Sequence, residues 1–204
     1  MIWPPPEVPL EGKLVRLEPL VEEHREPLRS IAGHPEIWRW KDRRVSETEE
    51  GFDQYFDGRL LARKMGEEHP FATLTATGGA PLGSSTFLAP RPLHDGVEIG
   101  NTWLTPSAWR TGANVEAKLL MLGFAFDELG CMRVELKTDA RNERSRRAME
   151  ALPARFEGIF RKHMLMPVTG VRDSAYFSVV DDEWPAVRQN LEQRLAGARE
   201  VGSA

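Results

Sequence analysis

The residues best suited to chemistry in this chain fall in two neighbouring stretches. In TPSAWRTGANVEAKLLMLGFAF, Thr105–Phe126, the small-residue turn Arg110–Thr111–Gly112–Ala113–Asn114 runs directly into an apolar helical pattern. The first turn of a helix leaves backbone N–H groups unpaired and its dipole favours negative charge, so pyrophosphate is a sensible guest there. Read in isolation, the same residues also describe a plain strand-to-helix turn that carries glycine for backbone geometry. Just upstream, GVEIGNTWL sets one carboxylate, Glu98, on the face opposite Val97 and Ile99. No Gly-Lys-Ser/Thr follows the turn and no Gly-x-Gly-x-x-Gly occurs, so neither a P-loop nor a dinucleotide fingerprint is indicated. The 5 histidines are scattered and Cys131 is the single cysteine, so no metal site and no intrachain disulfide are expected.

These residues need a scaffold, and 204 residues with 41% apolar and 28% charged content suit one globular domain. A net charge of −4 argues against a nucleic-acid binder with a globally basic surface. No apolar run approaches a membrane span, the N-terminus lacks a signal-peptide pattern, and a soluble, cytoplasmic protein is expected. MIWPPPEVPLEG, with its prolines, predicts an extended arm over 1–11, either an ordered or frayed tail or a homodimer contact. KLVRLEPL reads as a strand, and VEEHREPLRSIAGHPEIW as a short helix broken near Gly33 and Pro35. Ser46 with Glu49 gives a capping-box signal ahead of Phe52, Tyr55, Phe56 and Leu60 at helical spacing.

FATLTAT and LGSSTFLA form a hairpin, followed by GVEIGNTWL with Val97, Ile99 and Trp103 on one face. Val115, Leu119, Leu122, Phe126 and Leu129 mark a buried helical stripe, and CMRVELKT alternates with Met132, Val134 and Leu136 inward. Strand, helix, strand in about 40 residues is a βαβ unit with parallel strands. A helix from Asn142 to Leu152, a closing hairpin around PVTGVR, and a last helix with Trp184, Val187, Leu191 and Leu195 complete the chain, and the tail from Gly197 is expected to be loose. The fold class is α+β: a mixed, mostly antiparallel sheet with a parallel central strand pair and flanking helices. The domain reading is 1–11 arm, 12–180 functional domain, 181–204 helix and tail.

VEIGNTWL, WRTGANVEAK and VELKTDARNERSRRAMEAL, in that order before a closing hairpin, resemble the GNAT superfamily of acyl-CoA N-acyltransferases, most closely the branch with ribosomal-protein N-terminal acetyltransferases. The likeness runs from about Gly12 to Val180. It implies acetyl-CoA as co-substrate and a pyrophosphate turn of pattern Gln/Arg-x-x-Gly-x-Gly/Ala. Gly112 matches that pattern; Trp109 and Asn114 depart from it, and Arg110 sits one place from the expected charge. The resemblance further implies that the backbone around Trp103, Leu104 and Thr105 pairs with the pantetheine arm. Asn142 would meet the same arm, and it also suits a helix N-cap. Arg141, Arg144, Arg146 and Arg147 read either as partners of the adenosine phosphate or as a solvated helix face.

Acyl transfer to an amine needs a base for the ammonium proton and a proton for the departing thiolate. Glu98 matches the family's base position, with an edge carboxylate facing solvent or pairing with a neighbouring arginine as the alternative. The family's tyrosine acid falls on Met149; the resemblance to the ribosomal-protein branch implies a serine donor three residues after the asparagine, where Ser145 stands, with a helix-surface serine as the alternative reading and Tyr176 as another hydroxyl. A backbone N–H near Trp103 or Leu104 would hold the carbonyl oxygen. In HPEIWRWKDRR, Trp38 and Trp40 are read as walls of an acceptor pocket or as core anchors. Arg161 and His163, on one strand face with Glu157, add polar contacts. The resulting expectation is an acetyl-CoA-dependent N-acetyltransferase for a protein N-terminus or small amine. A CoA-binding regulatory module of the same fold is the alternative.

Overall fold

Alternating apolar residues set the strands, and the connections between them set the order of the sheet. The computed structural model describes residues 1–166 and 169–200, the side chains of 198–200 excepted. Eight strands form one sheet in the order β1 (Leu10–Glu11), β2 (Val15–Pro19), β3 (Glu68–Thr75), β4 (Pro81–Arg91), β5 (Gly96–Leu104), β6 (Arg133–Asp139), β8 (Gly170–Val180) and β7 (Arg155–Met166). All neighbours run antiparallel except β5 and β6. A parallel pair needs a long crossover, and helix α5 supplies it. The expected mixed sheet with one parallel central pair is therefore present.

Seven α-helices flank the sheet among the described residues: α1 (Arg25–Ala32), α2 (Pro35–Trp38), α3 (Arg44–Glu47), α4 (Glu49–Lys64), α5 (Ala113–Gly123), α6 (Glu143–Ala151) and α7 (Trp184–Glu200). On one face, Val97, Ile99, Val134 and Phe177 join Ala117, Met121, Val187 and Leu191 of α5 and α7 in the larger core. On the other, Trp38, Phe52 and Phe56 pack with Ala72, Leu74 and Trp103. No residue of β6, β7 or β8 belongs to this second core. Among the described residues no helix is long and apolar enough to cross a membrane.

Several local expectations change. Trp103 lies on the face opposite Val97 and Ile99, because Gly100 pairs with Thr86 but Trp103 with Ser84, leaving an extra residue on β5. Asn101 takes a left-handed φ of 51° at this bulge, which reverses the alternation beyond it. The helix cap is Thr48, whose hydroxyl accepts from Gly51 N–H; Ser46 sits inside α3. Met132 precedes β6 and is exposed, while Val134 and Leu136 are buried.

The buried side of α5 is Ala113, Glu116, Ala117, Lys118, Met121 and Leu122; Val115, Leu119 and Phe126 are only half-buried. A helix apolar nearly all round hides its face from a periodicity argument, and the π turn Phe124–Glu128 shifts the helical phase at Phe126 and Leu129. Helix α7 continues through Glu200, so Gly197 to Glu200 are helical. Residues 167–168 of the closing turn and 201–204 of the tail lie outside the described residues. The arm is laid against the body: Ile2 N–H bonds the Leu129 carbonyl (2.7 Å) and Trp3 Nε1 the Gly66 carbonyl (2.7 Å).

Candidate active site

The parallel pairing of β5 and β6 is short. It runs Gly96–Arg133, Val97–Val134, Glu98–Glu135 and then stops, although β5 continues to Leu104 and β6 to Asp139. Past Glu98 the two strands part, and the edge of β5 facing β6 has no strand partner. Two side chains reach it: Lys41 Nζ donates to the Thr102 carbonyl (2.8 Å) and Trp109 Nε1 to the Leu104 carbonyl (2.9 Å). Lys118 enters from α5 and donates to the hydroxyls of Thr102 (2.7 Å) and Ser85 (3.0 Å). Burial pulls the amines of Lys41 and Lys118 down to about 7 each.

Glu98 sits at the point of parting, 3% exposed. Its Oε2 accepts from Lys137 Nζ of β6 at 2.6 Å. Its Oε1 lies over Gly100, where a Cβ would stand 2.9 Å away, so only glycine leaves the carboxyl its room. Burial raises the Glu98 pKa, with Glu135 adding to the rise; Lys137 and Arg172 oppose it. The alternative of an exposed edge carboxylate is excluded by this burial.

On the same face, Tyr176 OH meets His163 Nε2 (3.2 Å), and His163 Nδ1 meets Ser174 Oγ (3.0 Å). Lys137 Nζ lies 5.9 Å from the Tyr176 ring centroid, which ties this chain of groups to Glu98. Glu157 bonds Ser178 Oγ and Arg133 on that face as well.

At the other end of the opening is the turn before α5. Gly112 has φ 90° and Arg110 φ 65°, two left-handed residues in three. The Gly112 backbone packs so that a Cβ would meet Leu14 at 3.0 Å. Thr111 Oγ1 takes the Ala113 N–H (3.3 Å), whereas those of Asn114 and Val115 have no acceptor among the described residues. Two backbone N–H groups of this first helical turn are thus left unpaired among the described residues. Glu116, in the same turn, faces away: its carboxylate accepts the N–H groups of Lys13 (3.0 Å), Leu14 (2.6 Å) and Val15 (2.7 Å).

Thr105 is buried and donates its N–H to the Leu82 carbonyl (2.8 Å), closing β5. Asn142 caps α6, accepting from Ser145 N–H at 3.2 Å. Asp139 lies four residues beyond Glu135, about 13 Å along the strand. Ser145, in the first turn of α6 beyond the end of β6, is half-buried. The arginines of this segment divide: Arg141 bonds Asp139 (2.8 Å), Arg147 bonds Glu143 (2.6 Å), and Arg146 reaches the Ala140 carbonyl (3.3 Å). Arg144 stacks 4.2 Å from the Trp109 ring centroid, bridging α6 to the turn before α5.

The two tryptophans also part company. Trp38 is a core anchor, 1% exposed, with Nε1 bonded to the Ala32 carbonyl (2.8 Å) and its ring against Tyr55 and Trp103; it has no face left for a ligand. Trp40 is half-buried between the guanidinium groups of Arg39 and Arg141, at the carboxyl end of β6. Lys41, Lys118, Lys137 and Arg172 are members of the site that motif reasoning passed over. Lys137 alone left a signal, since it alternates with Val134 and Leu136.

Comparison with known proteins agrees with this geometry. Residues 15–155 match the family model of the acetyltransferase (GNAT) domain. No curated protein matches the chain. Among solved structures, the chain is similar to one described as an acetyltransferase from T. thermophilus, at 39% identity over 95% of this chain and 100% of that one, TM-score 0.84. A GCN5-related N-acetyltransferase from Brucella melitensis shares 33% identity over 93% and 86%, TM-score 0.84. Mycobacterium smegmatis RimJ, solved with CoA-disulfide, shares the fold at 18% identity over 92% and 93%, TM-score 0.75. The parted parallel strands, the open helix turn beside them and a family match over most of its length assign this chain to the GNAT acetyltransferases.

Proposed function

We propose that this chain is an acetyl-CoA-dependent N-acetyltransferase that moves an acetyl group to a primary amine, on a protein N-terminus or a small molecule. The observation that carries the reading is the position of Glu98: a buried carboxylate at the apex of the opening, held by one lysine, with the open first turn of α5 at its far end. In this reading Gly112 and the N–H groups of Ala113, Asn114 and Val115 hold the pyrophosphate, with Arg110 and Thr111 beside them. The β5 edge from Trp103 to Thr105 receives the pantetheine arm, Asn142 meets it from α6, and Lys41 swings off the Thr102 carbonyl to make room.

The ammonium gives one proton to Glu98 and the free amine attacks the thioester carbonyl; as the thiolate is expelled, the nitrogen's second proton leaves and replaces the one that the hydroxyl donor gives to sulfur. The carbonyl oxygen rests on a backbone N–H of the β5 bulge. Ser145 offers the thiolate a proton from α6, and Tyr176, grouped with Glu98, is the second hydroxyl within the site. Trp40 and His163 border the acceptor side. The functional domain is 12–180, with α7 packed into its core through Trp184, Val187 and Leu191.

The test is calorimetry with acetyl-CoA, then thiol release across amines and N-terminal peptides. Saturable binding with release that depends on the amine is expected. Absence of binding would sink the reading, and binding without transfer to any amine would favour a CoA-binding regulatory module.

A further inference from the structure

The acceptor face holds a charge that the chemistry above does not use. Arg172, on β8, is half-buried, and its Nε is buried without a hydrogen-bond partner among the described residues. No carboxylate of the described residues pairs with it. The other half-buried arginines each meet a carboxylate, except Arg146, which takes the Ala140 carbonyl. Arg172 points to the same face of β8 as Ser174 and Tyr176, one step beyond the last β6 pairing, Asp139 with Ser174. Glu98 pairs with Glu135 and Glu135 with Ser178, so Glu98 lies on the same face of the sheet, within electrostatic reach of Arg172.

The nearby acids are already matched one to one, Glu98 with Lys137 and Asp139 with Arg141. Arg172 is left without an ion-pair partner among the described residues, with Asp139 and Glu98 acting on it only from beyond ion-pair distance. A desolvated guanidinium with no counter-ion is costly, and such a group is stabilised when an anion arrives with its ligand. The pyrophosphate of the co-substrate belongs at the turn before α5, at the far end of the opening, so the missing anion belongs to the acceptor. A planar guanidinium fork fits a carboxylate through two parallel hydrogen bonds.

We infer that the acceptor is a small amino acid-type molecule that presents its amine to Glu98 and its carboxylate to Arg172. The inference rests on the acetyltransferase reading and narrows it: a peptide N-terminus, whose α-carboxylate is tied up as an amide, lacks the group Arg172 awaits. Arg172 is then a specificity residue, distinct from Glu98, which takes the proton.

The experiment pairs each common L-amino acid with its own primary amide, after acetyl-CoA binding has been measured by calorimetry. With the wild-type protein, the best amino acid should exceed its amide in kcat/KM by about 10- to 100-fold, the worth of a charge-assisted pair. Arg172→Ala should bring that ratio down to about one, because the acid loses far more than the amide, and Arg172→Lys should restore part of it. Equal use of acid and amide by the wild type, use of amines but of no amino acid, or equal loss of both in Arg172→Ala would overturn the inference alone. Failure to bind acetyl-CoA would overturn the acetyltransferase reading and the inference with it.

Discussion

Two buried glutamates, Glu98 and Glu116, stand at opposite ends of the same opening and are held in opposite ways. Glu116 is 4% exposed, and its oxygens accept three consecutive backbone N–H groups from the loop between β1 and β2. Those donors are fixed by the chain and cannot be exchanged for a substrate. Glu98 is equally buried but rests on one side-chain ammonium, with its other oxygen over the bare backbone of Gly100. Burial alone therefore does not mark a carboxylate as functional. The distinction lies in whether its partners are structural and saturating or few and movable.

Perturbing each end of the opening should break different properties. The largest effect is expected at the turn. Gly112→Asp puts a negative side chain into a left-handed backbone position beside the proposed pyrophosphate and should abolish acetyl-CoA binding, a loss of at least ~100-fold. Gly112→Asn, which tolerates that backbone geometry, should keep most of the affinity if the fold is intact. Calorimetry on both variants, with circular dichroism as the folding check, separates charge from strain. Equal affinity in Gly112→Asp would remove the turn from the site.

Glu116→Ala should act on stability instead. It strips three buried N–H groups of their acceptor and should lower unfolding free energy by about 3 kcal/mol, read from the urea midpoint. A midpoint near that of the wild type would mean water replaces the carboxylate and the comparison fails at this end.

Lys137→Met should move a pH profile more than a midpoint. A base works as the carboxylate, so activity is present above the Glu98 pKa and is lost as pH falls through it. Burial already raises that pKa and Lys137 holds it back, so removing the ammonium should raise it further. The acid limb of kcat/KM should shift upward. An unmoved limb would show that another group titrates there.

The strands, the parallel pair and the turn before α5 were legible because each rests on local signals: alternation, crossover length, and small residues ahead of a helical pattern. Register was not. The bulge at Asn101 depends on how β4 pairs with β5, and it sends Trp103 to the opposite core from Ile99. Ser46 and Thr48 offer similar caps, and the interposed helix α3 decides between them. Glu98 stood out in the sequence as the carboxylate on its strand at the base position of the family the chain resembles; its burial and its lysine partner were not legible. Nor was the grouping of Lys137 with Arg172, since β8 returns past helix α6 and strand β7 to sit beside β6. Trp38 and Trp40, two residues apart, looked alike in sequence, yet one is enclosed by Tyr55 and Trp103 and the other faces Arg141.

In the proposed mechanism Glu98 acts in the chemical step rather than in binding. General bases contribute ~10²–10⁴ in rate. Measured on one preparation of Glu98→Gln, turnover should fall by about that factor while the acetyl-CoA dissociation constant stays within about twofold of wild type. Unchanged turnover, or a fall matched by an equal loss of acetyl-CoA affinity, would contradict it.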